Sequence, residues 1–152
     1  MKSTEISFQF PVLGFTLDLE IWGFPDLERL TKCGPITLRE NMQAGMELIE
    51  ADGRRWRVRS VTRTGRAGSW LSLLSPFGPA QSRIEQDLEP LEPAPLAEVQ
   101  RRACLAMETF SINYLEGDDR SVEFDPMLAK LRRTRKISEI YDLLNPDTFE
   151  PY

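Results

Sequence analysis

The spacing of apolar residues changes once along the chain. Before about residue 92 they recur at every second position. Ile6, Phe8 and Phe10 alternate with polar neighbours up to Pro11, and Phe15, Leu17, Leu19 and Ile21 alternate with Thr16, Asp18 and Glu20. Period two is the mark of a half-buried strand, so two strands are predicted here, pairing across a turn near Gly14. Trp22-Gly23-Phe24-Pro25 breaks the alternation. Asp26 then offers an N-cap oxygen to a short helical turn through Leu27 and Leu30, which Gly34-Pro35 ends, and a short strand is expected over 36–38.

Asp52-Gly53 lies between predicted strands at 46–50 and 54–63. The dipeptide suits a two-residue type I′ hairpin, whose central residues both need positive φ. On the second strand Trp56 and Val58 should face one side, with Arg55, Arg57 and Arg59 on the other. Residues 65–81 mix turn residues with an apolar block, and a strand is expected again over 83–88. Pro90, Pro93 and Pro95 predict an extended connector over 89–95.

Beyond it the period becomes helical. Leu96, Val99, Ala103, Met107 and Phe110 form one stripe, predicting an amphipathic helix over 95–110. Asp125-Pro126 reads as the N-cap and first residue of a second helix through Met127, Leu128 and Leu131. A third helix carries Ile137, Ile140, Tyr141 and Leu144 on one stripe and stops at Asn145-Pro146. Strands first and helices last predict an α+β fold. We expect a small, mostly antiparallel sheet from residues 1–92, curled toward a barrel and packed by two or three C-terminal helices from 95–152, all in one domain.

With 152 residues, 41% of them hydrophobic and 28% charged, the chain can build a core without staples. Glu5 and Gln9 interrupt the apolar residues of the N-terminus, and no apolar run approaches the length of a membrane span. Cys33 and Cys104 read as reduced thiols. A cytoplasmic protein with no membrane association is expected.

The chain contains no histidine. That removes Ser-His-Asp and Cys-His catalysis, the HExxH metalloprotease site and the commonest metal ligand. Neither cysteine has a CxxC neighbour, and Cys104 falls beside the helical stripe as core filler. The glycines at 65, 68 and 78 match neither GxGxxG nor GxxxxGK[ST]. Glu116, Asp118 and Asp119 cluster without calcium-loop spacing and read as a solvated turn. No cofactor and no metal are expected, and an enzyme built on carboxylates and arginines ranks third among the functional readings.

Two features stand out. One is the basic strand, where Arg54, Arg55, Arg57, Arg59, Arg63 and Arg66 surround Trp56. A second basic run, Lys130, Arg132, Arg133, Arg135 and Lys136, follows later, and the two hold most of the 19 Lys and Arg residues. On one face they would form a surface for phosphates, whereas Glu47, Glu50, Glu85, Asp87 and Glu89 could instead pair with the arginines across the sheet. The other feature is SWLSLLSPFG, in which Trp70, Leu71 and Phe77 are candidate anchors of a protein interface. The net charge of −5 favours a basic partner by steering. In size, charge and class, though not in residues, the chain is similar to bacterial immunity proteins that neutralise a cognate toxin. That resemblance implies stoichiometric inhibition of one partner. The first expectation is therefore a non-enzymatic protein-binding module, and the second a nucleic-acid-associated protein using Arg55, Arg57 and Arg59.

Overall fold

Val12–Phe15 is buried at all four positions, because its strand lies between two separate cores. The computed structural model describes residues 1–66, 81–109 and 120–146, without the side chains of 120–124. The described strands are β1 (Val12–Phe15), β2 (Ile21–Phe24), β3 (Lys32–Cys33), β4 (Glu47–Ile49), β5 (Arg55–Arg66) and β6 (Ser82–Leu91). They form one antiparallel sheet in the order β2-β1-β4-β5-β6-β3, curled into a half-barrel. The described helices are α1 (Leu27–Leu30), α2 (Pro35–Arg39), α3 (Leu96–Thr109), α4 (Arg120–Arg132) and α5 (Ile137–Leu144). The class is α+β, as the order of periods predicts.

Successive strand residues point to opposite faces, and the two cores divide accordingly. Val12, Phe24, Leu48, Trp56, Val58 and Leu88 join Ile6, Phe8, Leu30 and Met46 on one face. Leu13, Phe15, Ile21 and Ile49 pack on the other against α3, α4 and α5, where Val99, Ala103, Leu131, Ile140 and Tyr141 meet them. The α5 stripe of Ile137, Ile140, Tyr141 and Leu144 is buried as its spacing predicts. At the open side of the sheet α1 contacts both β2 and β3. Asp26 caps it, accepting from the Arg29 N–H at 2.7 Å.

Several predicted elements are corrected. The alternating stretch at 15–21 is not one strand: Phe15 ends β1, Ile21 begins β2, and 16–20 is the hairpin turn between them. Thr16 N–H donates to Glu20 O at 3.0 Å and Leu19 N–H to Thr16 O at 3.1 Å, while Leu19 has a φ of 69°. Leu17, 76% exposed, covers Gly45, where a Cβ would come within 2.9 Å of it. Residues 6–10 form no strand, and Gly14 sits inside β1 and not at a turn. Residues 36–38 belong to α2, because Pro35 at its start supplies the φ of a first helical turn. Pro126 lies inside α4, which begins at Arg120, so it forgoes one helical hydrogen bond and does not start the helix.

The Asp52-Gly53 hairpin is present with a different turn. Only Gly53 among its residues has positive φ, at 91°. Glu50 N–H bonds Arg54 O and Gly53 N–H bonds Glu50 O, both at 2.9 Å, the pattern of a type I turn closed by a glycine bulge.

The predicted connector at 89–95 also begins late, since β6 runs through Pro90 to Leu91. On its side away from β5 the N–H groups of β6 are met in turn. Ile84 donates to Thr31 O at 2.9 Å and Leu88 to Met1 O at 2.7 Å; between them Gln86 donates to Ser3 Oγ at 3.0 Å. The next residue in that series is Pro90, which has no N–H to satisfy.

Candidate interaction surface

Beyond Trp56 the β5–β6 ribbon changes register twice. Val58 lies opposite Leu88 but Ser60 opposite Asp87, and Arg63 lies opposite Ile84 but Gly65 opposite Arg83. The bulge at Arg59 moves Val61, in place of Ser60, onto the core face beside Gln86, and Val61 packs there. On the other side β4 pairs with β5 only at Arg55, Trp56 and Arg57. Gly45 and Met46 extend that contact to Val58 through two hydrogen bonds of 2.8 Å. From Arg59 to Arg66 no described strand flanks β5 on this side. Arg59, Ser60, Thr62, Arg63, Thr64 and Arg66 are exposed.

The predicted arginines divide into two groups. Arg55 is held between sheet and helix: Nε donates to Glu92 O at 2.8 Å, and Nη1 lies 2.8 Å from Glu98 and 3.7 Å from Glu47. Arg57 reaches Glu47 at 3.5 Å. Arg102 from α3 donates to Glu47 at 2.6 Å while its guanidinium sits 4.4 Å from the centre of the Phe15 ring. Burial pushes the Glu47 carboxyl up, but Arg102, Arg55 and Arg57 outweigh burial and hold it below the usual value. Arg54 is paired with Glu50 and Asp52, each at 2.9 Å. In contrast, Arg59, Arg63 and Arg66 make no ion pair among the described residues.

Of the acids expected to neutralise the strand, Glu47 pairs with Arg55 and Arg57 and Glu50 with Arg54, whereas Glu85 is drawn elsewhere. Glu85 accepts from Thr4 Oγ1 at 2.6 Å and pairs with Lys2 at 3.9 Å. Glu50, fully buried, accepts from Gln9 N–H, Arg54 and Trp56. The second basic run lies in the helical layer, on α4 and its connection to α5, where Gln100 Nε2 donates to Thr134 O at 2.8 Å. Trp70, Leu71 and Phe77 lie outside the described residues, as do Glu116, Asp118 and Asp119. Residues 67–80 join the end of β5 to the start of β6.

Other polar groups are occupied structurally. Cys33 and Cys104 are buried, and burial pushes both thiols up, away from nucleophilic thiolates. An open groove of about 360 Å³ is lined by Pro25, Asp26, Glu28, Arg29, Lys32 and Gln81. Its acids are already used, Asp26 as the α1 cap and Glu28 in an ion pair with Lys32. Among the described residues no three His, Cys, Asp or Glu side chains are grouped to hold a metal. No described helix is long and apolar enough to cross a membrane.

Arg63 and Arg66 belong to this surface although the sequence reading chose Arg55, Arg57 and Arg59. Their inclusion depends on where β4 stops, which no local pattern reports. Comparison of the chain with protein-family models, with curated proteins and with solved structures finds no match.

Proposed function

We propose that the chain is a non-enzymatic module that binds a partner protein, with the β5 side of the β5–β6 ribbon as its contact region. The observation that carries this reading is the exposed stretch of β5 beyond residue 58, a strand without a described neighbour on one side. Unpaired N–H and C=O groups on such an edge are a template for another chain. Trp70, Leu71 and Phe77, in the connection that follows β5, are the proposed apolar anchors. Within this class we favour an immunity-type inhibitor acting stoichiometrically in the cytoplasm.

The net charge alone favours a basic partner, but Glu47, Glu50, Glu85 and Glu98 are engaged within the chain, while Arg59, Arg63 and Arg66 make no ion pair among the described residues. The local charge of the contact region is therefore positive. Affinity capture of the tagged protein from its native lysate, with and without nuclease, tests the reading. A protein retained after nuclease at fixed stoichiometry is expected; retention of no protein removes it.

The second reading, association with nucleic acid, draws on the same three arginines, which have no ion pair among the described residues. It moves the contact from Arg55 to Arg59, Arg63 and Arg66, and predicts affinity for DNA or RNA that falls log-linearly with salt. Absence of binding to either polymer at low salt removes it.

A further inference from the structure

We infer that residues 59–66 of β5 receive an extended, acidic segment of the partner protein as an added strand, an inference that rests on the protein-binding reading above. Three observations carry it. The stretch without a described neighbour is longer than a typical strand of about five to six residues, so one added segment can pair along it between the register shifts at 58/60 and 63/65. Its exposed side chains are polar, which makes main-chain hydrogen bonding the source of affinity and charge the source of selectivity. The cations are on both faces of the ribbon. Arg63 lies opposite Ile84, and Arg59 stands beside Ser60 opposite Asp87; positions 84 and 87 of β6 point to opposite sides.

The same cations argue against a second copy of this chain as the occupant. Antiparallel self-pairing of residues 59–66 sets Arg59 against Arg66, and like charges directly opposite destabilise a ladder. A segment with Glu or Asp at alternate positions meets a cation on whichever face those positions take. Among the nearby acids Glu47, Glu85 and Asp87 already have partners.

The test is hydrogen–deuterium exchange of the full chain with two capped peptides, one alternating Glu and Val and the other alternating Lys and Val. The Glu peptide is expected to slow exchange within 59–66 and the Lys peptide is not. The triple variant R59E/R63E/R66E is expected to bind the Glu peptide about tenfold more weakly, with an unchanged far-ultraviolet circular dichroism spectrum. R59K/R63K/R66K, which keeps the charge, is expected to retain most of the binding.

Four results would each overturn the inference: no slowing by the Glu peptide, equal slowing by the Lys peptide, slow exchange in the free monomer at the N–H groups of 59–66 that face away from β6, or slowing that requires a second copy of the chain. Stronger protection by an oligothymidylate than by the Glu peptide would overturn it in favour of nucleic acid. A captured partner that binds R59E/R63E/R66E as tightly as wild type leaves the protein-binding reading standing and removes the added strand.

Discussion

Trp56 and Glu50 meet across the β4–β5 turn, the indole N–H donating to Glu50 Oε1 at 2.6 Å. The other oxygen accepts from Gln9 N–H at 2.6 Å and from Arg54 Nη2 at 2.9 Å. One carboxylate, 0% exposed, thus joins the N-terminal segment, the turn and β5. Glu50→Ala leaves all three donors without their acceptor and should cost about 3–5 kcal/mol. Glu50→Gln keeps one acceptor and turns an amide N–H toward a donor, for about 1–3 kcal/mol. Urea unfolding measures both, and a midpoint unchanged by Glu50→Ala would contradict the assignment.

Glu47 gives stability a pH dependence of known sign. Burial raises its carboxyl, Arg102, Arg55 and Arg57 lower it further, and the folded value ends below the unfolded one. The unfolded carboxyl titrates at about 4.3. Its stabilisation is therefore complete above that pH and is lost as pH falls through the folded value. Glu47→Gln should cost about 1 kcal/mol near neutrality, with the two stability curves converging in strong acid. Parallel curves across the whole range would exclude this role.

Arg55 and Arg59 occupy the same sequence run and should behave oppositely on replacement. Arg55→Met removes contacts to Glu98, Glu47 and Glu92 O and should destabilise by about 1 kcal/mol or more. Arg59→Met, at an exposed bulge, should fall within about 0.5 kcal/mol of wild type. Thermal melts of the two variants distinguish an arginine that holds the fold from one that adds little to it.

Gly23 on β2 lies opposite Leu13 and Gly14 on β1 opposite Trp22, and the two glycines differ in what surrounds them. A Cβ at Gly23 would stand 2.5 Å from Pro146 Cγ and 3.1 Å from Tyr141 Cε2, atoms of stiff rings. At Gly14 the nearest atom is Met46 Sδ at 2.7 Å, the end of a flexible chain, although Phe24 stands close behind it. Gly23→Ala should cost about 2–3 kcal/mol and Gly14→Ala about 1 kcal/mol. The reverse order would mean that the α5 terminus yields more readily than the barrel core.

The class and the helical stripes were legible because one burial face dominates each pattern. Val99, Ala103 and Met107 repeat at helical spacing and are all buried. Trp56 and Val58 likewise alternate with exposed or half-exposed arginines. The reading failed where both faces of a strand are buried or where a turn imitates alternation. Val12–Phe15 has no polar face to mark it, while Leu17 and Leu19 alternate in a turn at which both are exposed. The site was only half legible. The arginine run is visible in sequence, but which members are taken by Glu47 and Glu98 depends on α3, more than thirty residues away in the chain.

The strand order constrains how the chain can be made. β3 pairs with β6, joining Lys32 to Arg83, and the long ladder between β5 and β6 supplies the largest share of the sheet. During synthesis the first sixty-six residues emerge with β5 and β3 lacking their common partner. Contacts this distant in sequence pay their loop entropy before any return. An arrested nascent chain that ends before Ser82 should therefore leave the sheet unfinished and its apolar strands open to chaperones, and release of β6 from the ribosome is the step that closes the half-barrel.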